Sequence, residues 1–104
     1  MGEVYWSITA RRNLQDIGDF IAQDSPFYAV DFVERILQQT DKLADFPKIG
    51  RMVPEFQRET IRELIFHNYR IVYRVQGNRV IIVAVSHGSM DIRERAKRED
   101  WDVW

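Results

Sequence analysis

The chain begins with alternating polar and apolar residues and then changes to helical spacing. Residues 3–8 alternate and predict a β-strand. After them, Leu14, Ile17 and Ile21 recur three and four residues apart, which predicts an amphipathic helix. Thr9 is the expected N-cap of this helix, because its hydroxyl can accept from a free backbone N–H of the first turn. The N-terminal part is therefore expected to be a strand followed by a helix.

A second helix is predicted directly after the first. Ser25 and Pro26 mark its start, because serine caps a helix and proline fits the first helical position without losing a needed N–H. The helix is expected to run to about Asp45. Its apolar stripe consists of Ala29, Val33, Ile36, Leu37, Thr40, Leu43 and Ala44. Because the connection is so short, the two helices are expected to form an antiparallel hairpin.

The second half of the chain has the pattern of an antiparallel sheet. Residues 46–54 contain two prolines and a glycine and predict an irregular connection. Residues 60–66, 69–75 and 79–86 are rich in isoleucine, valine and aromatic side chains and are separated by short loops, which predicts a three-stranded antiparallel meander. The sequence therefore predicts a single α+β domain over residues 1–104, made of an N-terminal strand, a helical hairpin and this meander.

The last predicted strand is apolar on both faces, so both faces need a cover. The two helices can cover only one of them. Residues 91–104, the C-terminal tail, or a partner protein must cover the other. The tail carries Trp101 and Trp104, which the predicted core leaves unplaced and which suggest docking within the chain or onto a partner.

The lengths of the two hairpin loops set the expected register. If residues 67–68 are a two-residue loop, Ile65 pairs with Arg70. If residues 77–78 are the next loop, Arg70 faces Val85. This register places four polar side chains on the sheet face away from the helices: Glu63, Arg70, Arg74 and His87.

Two interpretations of this polar face are open. In the first, Arg70 stabilises developing negative charge on a phosphodiester and His87 moves a proton near neutral pH. In the second, Arg70 and Arg74 flank Glu63 as a cross-strand ion-pair ladder and His87 only ends a strand. No phosphate-binding glycine loop, HExxH motif or nucleophile elbow offers a stronger catalytic signal.

Composition narrows the function classes further. The 104 residues include no cysteine and two histidines, which excludes disulfides, thiolate nucleophiles and cysteine-ligated zinc, and no metal or cofactor is expected. The longest apolar run, residues 80–85, is far shorter than a membrane span, so we expect a cytoplasmic protein without membrane association.

Charge is divided between the two halves of the chain. Residues 13–47 hold seven acidic residues against Arg35 and Lys42, whereas residues 48–79 hold seven basic residues against three acidic ones. The basic half could therefore attract an anionic target. Its arginines are the electrostatic candidates for target binding: Arg51, Arg58, Arg62 and Arg74.

Several short motifs, in their order along the chain, resemble the RelE/ParE superfamily of bacterial toxin–antitoxin, or plasmid stabilisation, modules. They are Trp6-Ser7-Ile8-Thr9-Ala10, Ala29 with Phe32, Leu43 to Arg51, Val53-Pro54-Glu55, Arg62-Glu63-Leu64, Tyr69-Arg70-Ile71-Val72-Tyr73 and Val85-Ser86-His87-Gly88. The resemblance implies a RelE-like four-stranded sheet with helices on one face. It also implies a toxin held inactive in a hetero-oligomer by a cognate antitoxin whose disordered segment folds along it.

The superfamily has two activities, and the matched positions favour one of them. RelE-like members cleave mRNA on the ribosome, whereas ParE-like members inhibit DNA gyrase. Arg70 matches an arginine of the nucleases, but Ser89 and Met90 stand where they have a second arginine, and the tail has no late tyrosine. The nuclease set is incomplete, so the resemblance favours a ParE-like gyrase inhibitor that is not an enzyme. A RelE-like ribosome-dependent endonuclease using Arg70 and His87 is the alternative.

The resemblance also suggests where the antitoxin binds. The apolar face of the last strand is a candidate, unless the tail near Trp101 covers it. The candidate antitoxin-binding residues are Ile81, Val83, Val85, Trp101 and Trp104.

Overall fold

The computed structural model describes residues 2–104, which form a five-stranded mixed sheet and three α-helices. In chain order the elements are β1 (Glu3–Trp6), α1 (Ile8–Ala22), α2 (Pro26–Asp41), a 3₁₀ turn (Lys42–Ala44), β2 (Arg51–Met52), β3 (Ile61–Phe66), β4 (Tyr69–Gln76), β5 (Arg79–His87) and α3 (Ile92–Arg98). The strand order is β1-β5-β4-β3-β2, with β1 parallel to β5 and the other pairs antiparallel. The predicted α+β class is confirmed.

The helical hairpin forms where the sequence predicts it, with one difference at its start. The Ser25 hydroxyl accepts from the Tyr28 N–H at 3.2 Å and Pro26 opens α2, as predicted. At α1 the cap is Ser7 and not Thr9: Ser7 has extended backbone angles, and its hydroxyl accepts from the Ala10 N–H at 3.0 Å. The helix begins earlier than predicted because β1 ends at Trp6 and leaves Ser7 in the capping position.

The sheet has one strand more than predicted, because the irregular connection contains a two-residue strand. In β2, Arg51 pairs with Glu63 and Met52 with Arg62. Gly50 allows this close approach, since a Cβ there would lie 2.5 Å from the Glu63 carbonyl oxygen and 2.6 Å from the Tyr73 hydroxyl. The Gly50 N–H instead donates to that hydroxyl at 3.0 Å, which ties the connection to β4.

The predicted register is confirmed between β3 and β4 and is wrong over part of β5. Ile65 pairs with Arg70 as the two-residue loop requires. Between β4 and β5 a bulge shifts the pairing: Val83 of β5 is the extra residue opposite Val72 and Tyr73, so that Arg70 faces Ser86 and not Val85. A one-residue shift moves the following side chains to the opposite face of the sheet. His87 consequently pairs with Tyr69 and lies on the helix side, away from Arg70.

Each face of the sheet carries its own apolar core. On the helix side, α1 and α2 pack on a cluster of buried residues: Ala10, Leu14, Ile36, Leu43, Ile71, Tyr73, Val80, Ile82 and Val85. On the other side α3 and the chain after it pack on Val53, Phe56, Ile61, Val72, Val83 and Ala84. That cover consists of Ile92, Ala96, Trp101 and Val103, so the tail encloses this face of the monomer. No helix between residues 2 and 104 is long and apolar enough to cross a membrane.

Candidate functional site

Arg70 lies at the centre of a polar cluster on the tail side of the sheet. Its Nε donates to Glu63 Oε1 at 2.6 Å, and its Nη2 lies 3.1 Å from Glu63 Oε2. The outer edge of the guanidinium binds Glu55 through two parallel bonds, Nη1 to Oε2 at 2.8 Å and Nη2 to Oε1 at 2.7 Å. Arg51 completes the cluster by donating from Nε to Glu63 Oε2 at 2.7 Å. All three nitrogens of the Arg70 guanidinium are therefore bound to carboxylates.

The electrostatics of the cluster match these contacts. Hydrogen bonding to Glu55, with a further contribution from Glu63, raises the pKa of Arg70 above its ordinary value, although burial opposes the shift. The bond from Arg70 lowers the pKa of the Glu55 carboxyl. The Glu63 side chain is fully buried between two arginines. Two positive and two negative groups thus balance, and the Arg70 charge is neutralised within the chain.

His87 reaches the same region from the other face of the sheet. One pocket of about 350 Å³ lies where β4 begins and β5 ends, and it is lined by Arg70, both histidines, Arg51 and Ser89. The Nδ1 atom of His87 accepts from the Ser89 N–H at 3.1 Å and lies 2.7 Å from the Ser89 hydroxyl oxygen. Since Nδ1 is an acceptor, the neutral ring carries its proton on Nε2. Arg70 and His87 line the same pocket, but the prediction that both side chains lie on one face of the sheet is wrong.

The four arginines predicted to bind a target are all engaged within the chain. Arg74 was expected beside Glu63 in a ladder, but its Nη1 binds Asp102 Oδ2 at 3.0 Å instead. Arg58 donates to the Val103 carbonyl oxygen at 3.2 Å, so both arginines fasten the tail. Arg62 donates to the Gly50 carbonyl oxygen at 2.9 Å, and Arg51 binds Glu63 while staying largely exposed.

The residues predicted to bind an antitoxin are mostly inside the monomer. Val83 and the tail residue Trp101 belong to the same buried cluster, and Val85 is buried on the helix side because of the bulge. Ile81 is partly buried against the tail cluster. Trp104 alone among them is widely exposed, at 59%, and its ring packs edge-on against Phe56. Of the two covers expected for the tail side of β5, the C-terminal tail is the one that the structure shows.

A mostly apolar groove lies elsewhere, between β1 and the helical hairpin. Its volume is about 800 Å³, and most of its lining is apolar: Val4, Trp6, Leu14, Ala22, Ala29, Val30, Val33 and Leu37. Val30 is 60% exposed and Leu37 40% exposed on α2. Arg11, Asp19 and Glu34 add charged groups to its lining. β1 is an edge strand of the sheet, so the backbone groups along its outer edge have no neighbouring strand to pair with.

Comparison with known proteins identifies the family. Residues 4–92 match the model of the ParE toxin of the type II toxin–antitoxin system parDE. The chain belongs to the ParE toxin family. A curated relative, Toxin RelE2 of Caulobacter vibrioides, is 34% identical over 90 residues, which cover 86% of this chain and 98% of the relative. The protein is thus a toxin of a type II toxin–antitoxin system.

Solved structures agree with the fold of this toxin. A chain from the chromosomal ParDE system of P. aeruginosa superposes with a TM-score of 0.70 at 22% identity, covering 84% of the toxin and 96% of that chain. A chain from the RelBE2 toxin–antitoxin complex of Mycobacterium tuberculosis gives a TM-score of 0.59 at 22% identity, covering 83% and 96%. At this identity the two structures support the fold alone.

Two functional features of the toxin were missed from the sequence. Glu55 lies 15 residues before Arg70, in the irregular connection, and only the folded chain brings the two together. The groove lining is split between β1 and both helices. A usable signal existed for the groove, since Val30 is an exposed apolar residue of α2 outside the predicted stripe and lines the groove.

Proposed function

We propose that this toxin inhibits DNA gyrase by binding it and that it does not cleave RNA. The observation that carries the proposal is the neutralised charge of Arg70, the one residue matching an arginine of the RelE-like nucleases. Its guanidinium is bound by Glu55 and Glu63 at 2.6–3.1 Å. A phosphate oxygen would have to displace a paired carboxylate before Arg70 could stabilise transition-state charge.

The other groups near Arg70 also favour binding over chemistry. His87 approaches from the opposite face of the sheet, and its Nδ1 atom already accepts from Ser89. Ser89 and Met90 occupy the place of the second arginine of the nucleases, and neither can neutralise a phosphate. The pocket therefore lacks a matched pair of acid and base around a free cation.

The alternative is a ribosome-dependent mRNA endonuclease. It is favoured by the name of the relative Toxin RelE2 and by the pocket that Arg70 and His87 both line. This function would require Glu55 to leave Arg70 when the toxin binds the ribosome.

We further propose that the cognate antitoxin occupies the groove between β1 and the hairpin. The groove is large and apolar enough to take one face of an amphipathic helix. Residues 13–47, which include most of the hairpin, hold seven acidic residues against Arg35 and Lys42, and Asp19 and Glu34 of this stretch line the groove. A segment with apolar side chains flanked by lysine or arginine would fit this surface.

One paired assay separates the two activities. Toxin freed of antitoxin is titrated into a gyrase supercoiling reaction and, in parallel, into ribosomes translating a defined mRNA. We expect supercoiling to stop, antitoxin to restore it, and the mRNA to stay intact. Continued supercoiling, together with mRNA cleavage that is lost in Arg70→Ala and His87→Ala, would reject the proposal and support the endonuclease.

A further inference from the structure

The tip of the helical hairpin exposes three aromatic side chains. Phe20 lies in the last turn of α1, and Phe27 and Tyr28 lie in the first turn of α2. Their exposed fractions are 67%, 83% and 67%. All three lie within one helical turn of the connection between the helices, so they are at the same end of the hairpin. We call residues 20–28 the hairpin tip.

The hairpin tip has the side chains and the shape of a contact surface. Residues 23, 24 and 26 beside the rings are exposed as well, so the tip is convex. Tyrosine and tryptophan are enriched at the energetic centres of protein interfaces, because an aromatic ring buries a large area and has few rotatable bonds. None of the three rings lines the concave groove beside β1. The tip is therefore suited to enter a cleft of a partner, whereas the groove is suited to receive a helix.

The charge around the hairpin tip is negative. Residues 13–34 contain five acidic residues and no lysine or arginine. Asp16, Asp19 and Asp24 are exposed, and over residues 2–104 they form no ion pair. The partner that complements the tip therefore carries basic side chains around an apolar cleft.

We propose that the hairpin tip is the surface through which the toxin binds gyrase, at a cleft with apolar walls and a basic rim. This inference rests on the proposed function, because it names the contact surface for inhibition by binding. Gyrase acts on DNA, and a protein that binds DNA carries surfaces rich in lysine and arginine. The exposed carboxylates of the tip complement such a surface, and the aromatic rings supply the apolar contact.

The hairpin tip adjoins the groove that we propose for the antitoxin. Ala22 and Pro26, on either side of the connection, line that groove. An antitoxin helix that fills the groove would therefore reach the tip and would exclude a large partner such as gyrase from it. Neutralisation then needs no direct contact between the antitoxin and the three rings.

The test compares binding of the full toxin chain, freed of antitoxin, to intact gyrase by surface plasmon resonance, with supercoiling followed in parallel. The double variant Phe27→Ser, Tyr28→Ser removes two rings at exposed positions. We expect its affinity for gyrase to fall about 100-fold and its inhibition of supercoiling to weaken equally. Ile8→Ser is the matched control, because Ile8 is 74% exposed at the opposite end of the hairpin and should not contact gyrase.

Charge reversal at the hairpin tip gives an independent measurement. We expect Asp24→Lys to weaken gyrase binding about tenfold at low salt, and the loss to shrink as salt screens the basic rim. Asp45→Lys is the control, since Asp45 is exposed and follows the 3₁₀ turn at the other end of the hairpin. Equal effects of the two reversals would reject the basic rim, because they would report only the net charge of the toxin.

Three results would overturn the proposal. A folded double variant that inhibits supercoiling as strongly as the unmodified toxin would leave the proposed function intact and place the contact elsewhere. A toxin dimer in light scattering that the double variant dissociates, with gyrase binding unchanged, would mean that the tip binds a second copy. An unmodified toxin that does not bind gyrase would remove the proposed function and this inference together. If the double variant does not fold, Asp24→Lys decides by the same criteria.

Discussion

The groove beside β1 and the polar pocket where β4 begins and β5 ends differ in which groups they leave without a partner. At the pocket, the Arg70 guanidinium forms hydrogen-bonded ion pairs with the carboxylates of Glu63 and Glu55. In the groove, Val30 and Leu37 expose apolar surface that the chain from residue 2 to residue 104 leaves open. The hydrophobic effect therefore favours binding of a partner at the groove. The charged groups at the pocket are already paired, so electrostatics adds little to binding of a partner there.

This difference indicates how the toxin works. A nuclease needs a free cation to meet the charge of its substrate, and the pocket uses its cation internally. A protein that acts by binding needs apolar surface and shape, and the groove offers both. The difference between the two sites thus favours an inhibitor controlled by an antitoxin. Substitutions at either site test this interpretation.

The largest effect is expected when the polar cluster is broken. Glu63→Ala removes the carboxylate that Arg51 and Arg70 share and leaves a mostly buried guanidinium short of a partner. We expect a loss of about 3 to 5 kcal/mol in the free energy of unfolding. Urea denaturation measures it, with Arg35→Gln as control, because that exposed pair with Asp31 should contribute less than about 0.5 kcal/mol. Equal losses in both variants would mean that the cluster is not a structural unit.

A smaller effect is expected at the groove. Leu37→Arg places a charge on its apolar lining at a position exposed enough to leave folding intact. Antitoxin affinity should fall about 100-fold, or about 2.7 kcal/mol, by calorimetry, with unchanged thermal stability. Ile65→Arg, at an exposed apolar residue on β3 outside the groove, is the control. If it weakens binding as much as Leu37→Arg does, the antitoxin does not occupy the groove.

The smallest effect is a pH dependence from Glu55. Its pKa lies below the ordinary 4.5, chiefly because Arg70 binds the carboxylate. The stability that this pair adds is present above 4.5 and is lost as the pH falls through the lower, folded-state pKa. On acidification through this pKa, the free energy of unfolding of the unmodified toxin should fall by roughly 1 kcal/mol more than that of Glu55→Gln. Urea midpoints at several pH values measure the difference. Identical pH profiles would show that the pair adds no stability.

Local chemistry made part of the fold predictable. Ser25 and Pro26 act within one helical turn, so the start of α2 followed from the sequence. The register between β3 and β4 followed from the two-residue loop, because a loop of this length fixes which residues pair. The bulge at Val83 has no such signal, since no glycine or proline marks it. That single shift moved His87 and Val85 to the helix side.

The candidate site was less predictable for the same reason. Arg70 and Glu63 are close because adjacent strands place them so, and the ion pair between them was expected. Glu55 reaches Arg70 from the irregular connection, whose Gly50 lies close against the sheet and donates to the Tyr73 hydroxyl. Such a contact depends on the path of an irregular segment. This segment has no helical or strand periodicity from which its path could be predicted.

The most direct test of the account is a pulse-labelling time course after the toxin gene is induced without its antitoxin, following DNA and protein synthesis in one culture. Inhibition by binding to gyrase predicts that DNA synthesis falls first, that Arg70→Lys and His87→Ala toxins that remain folded still stop it, and that co-expressed antitoxin restores growth. Protein synthesis that falls first, and recovers in those same variants, would contradict the account and identify the polar pocket as a nuclease site.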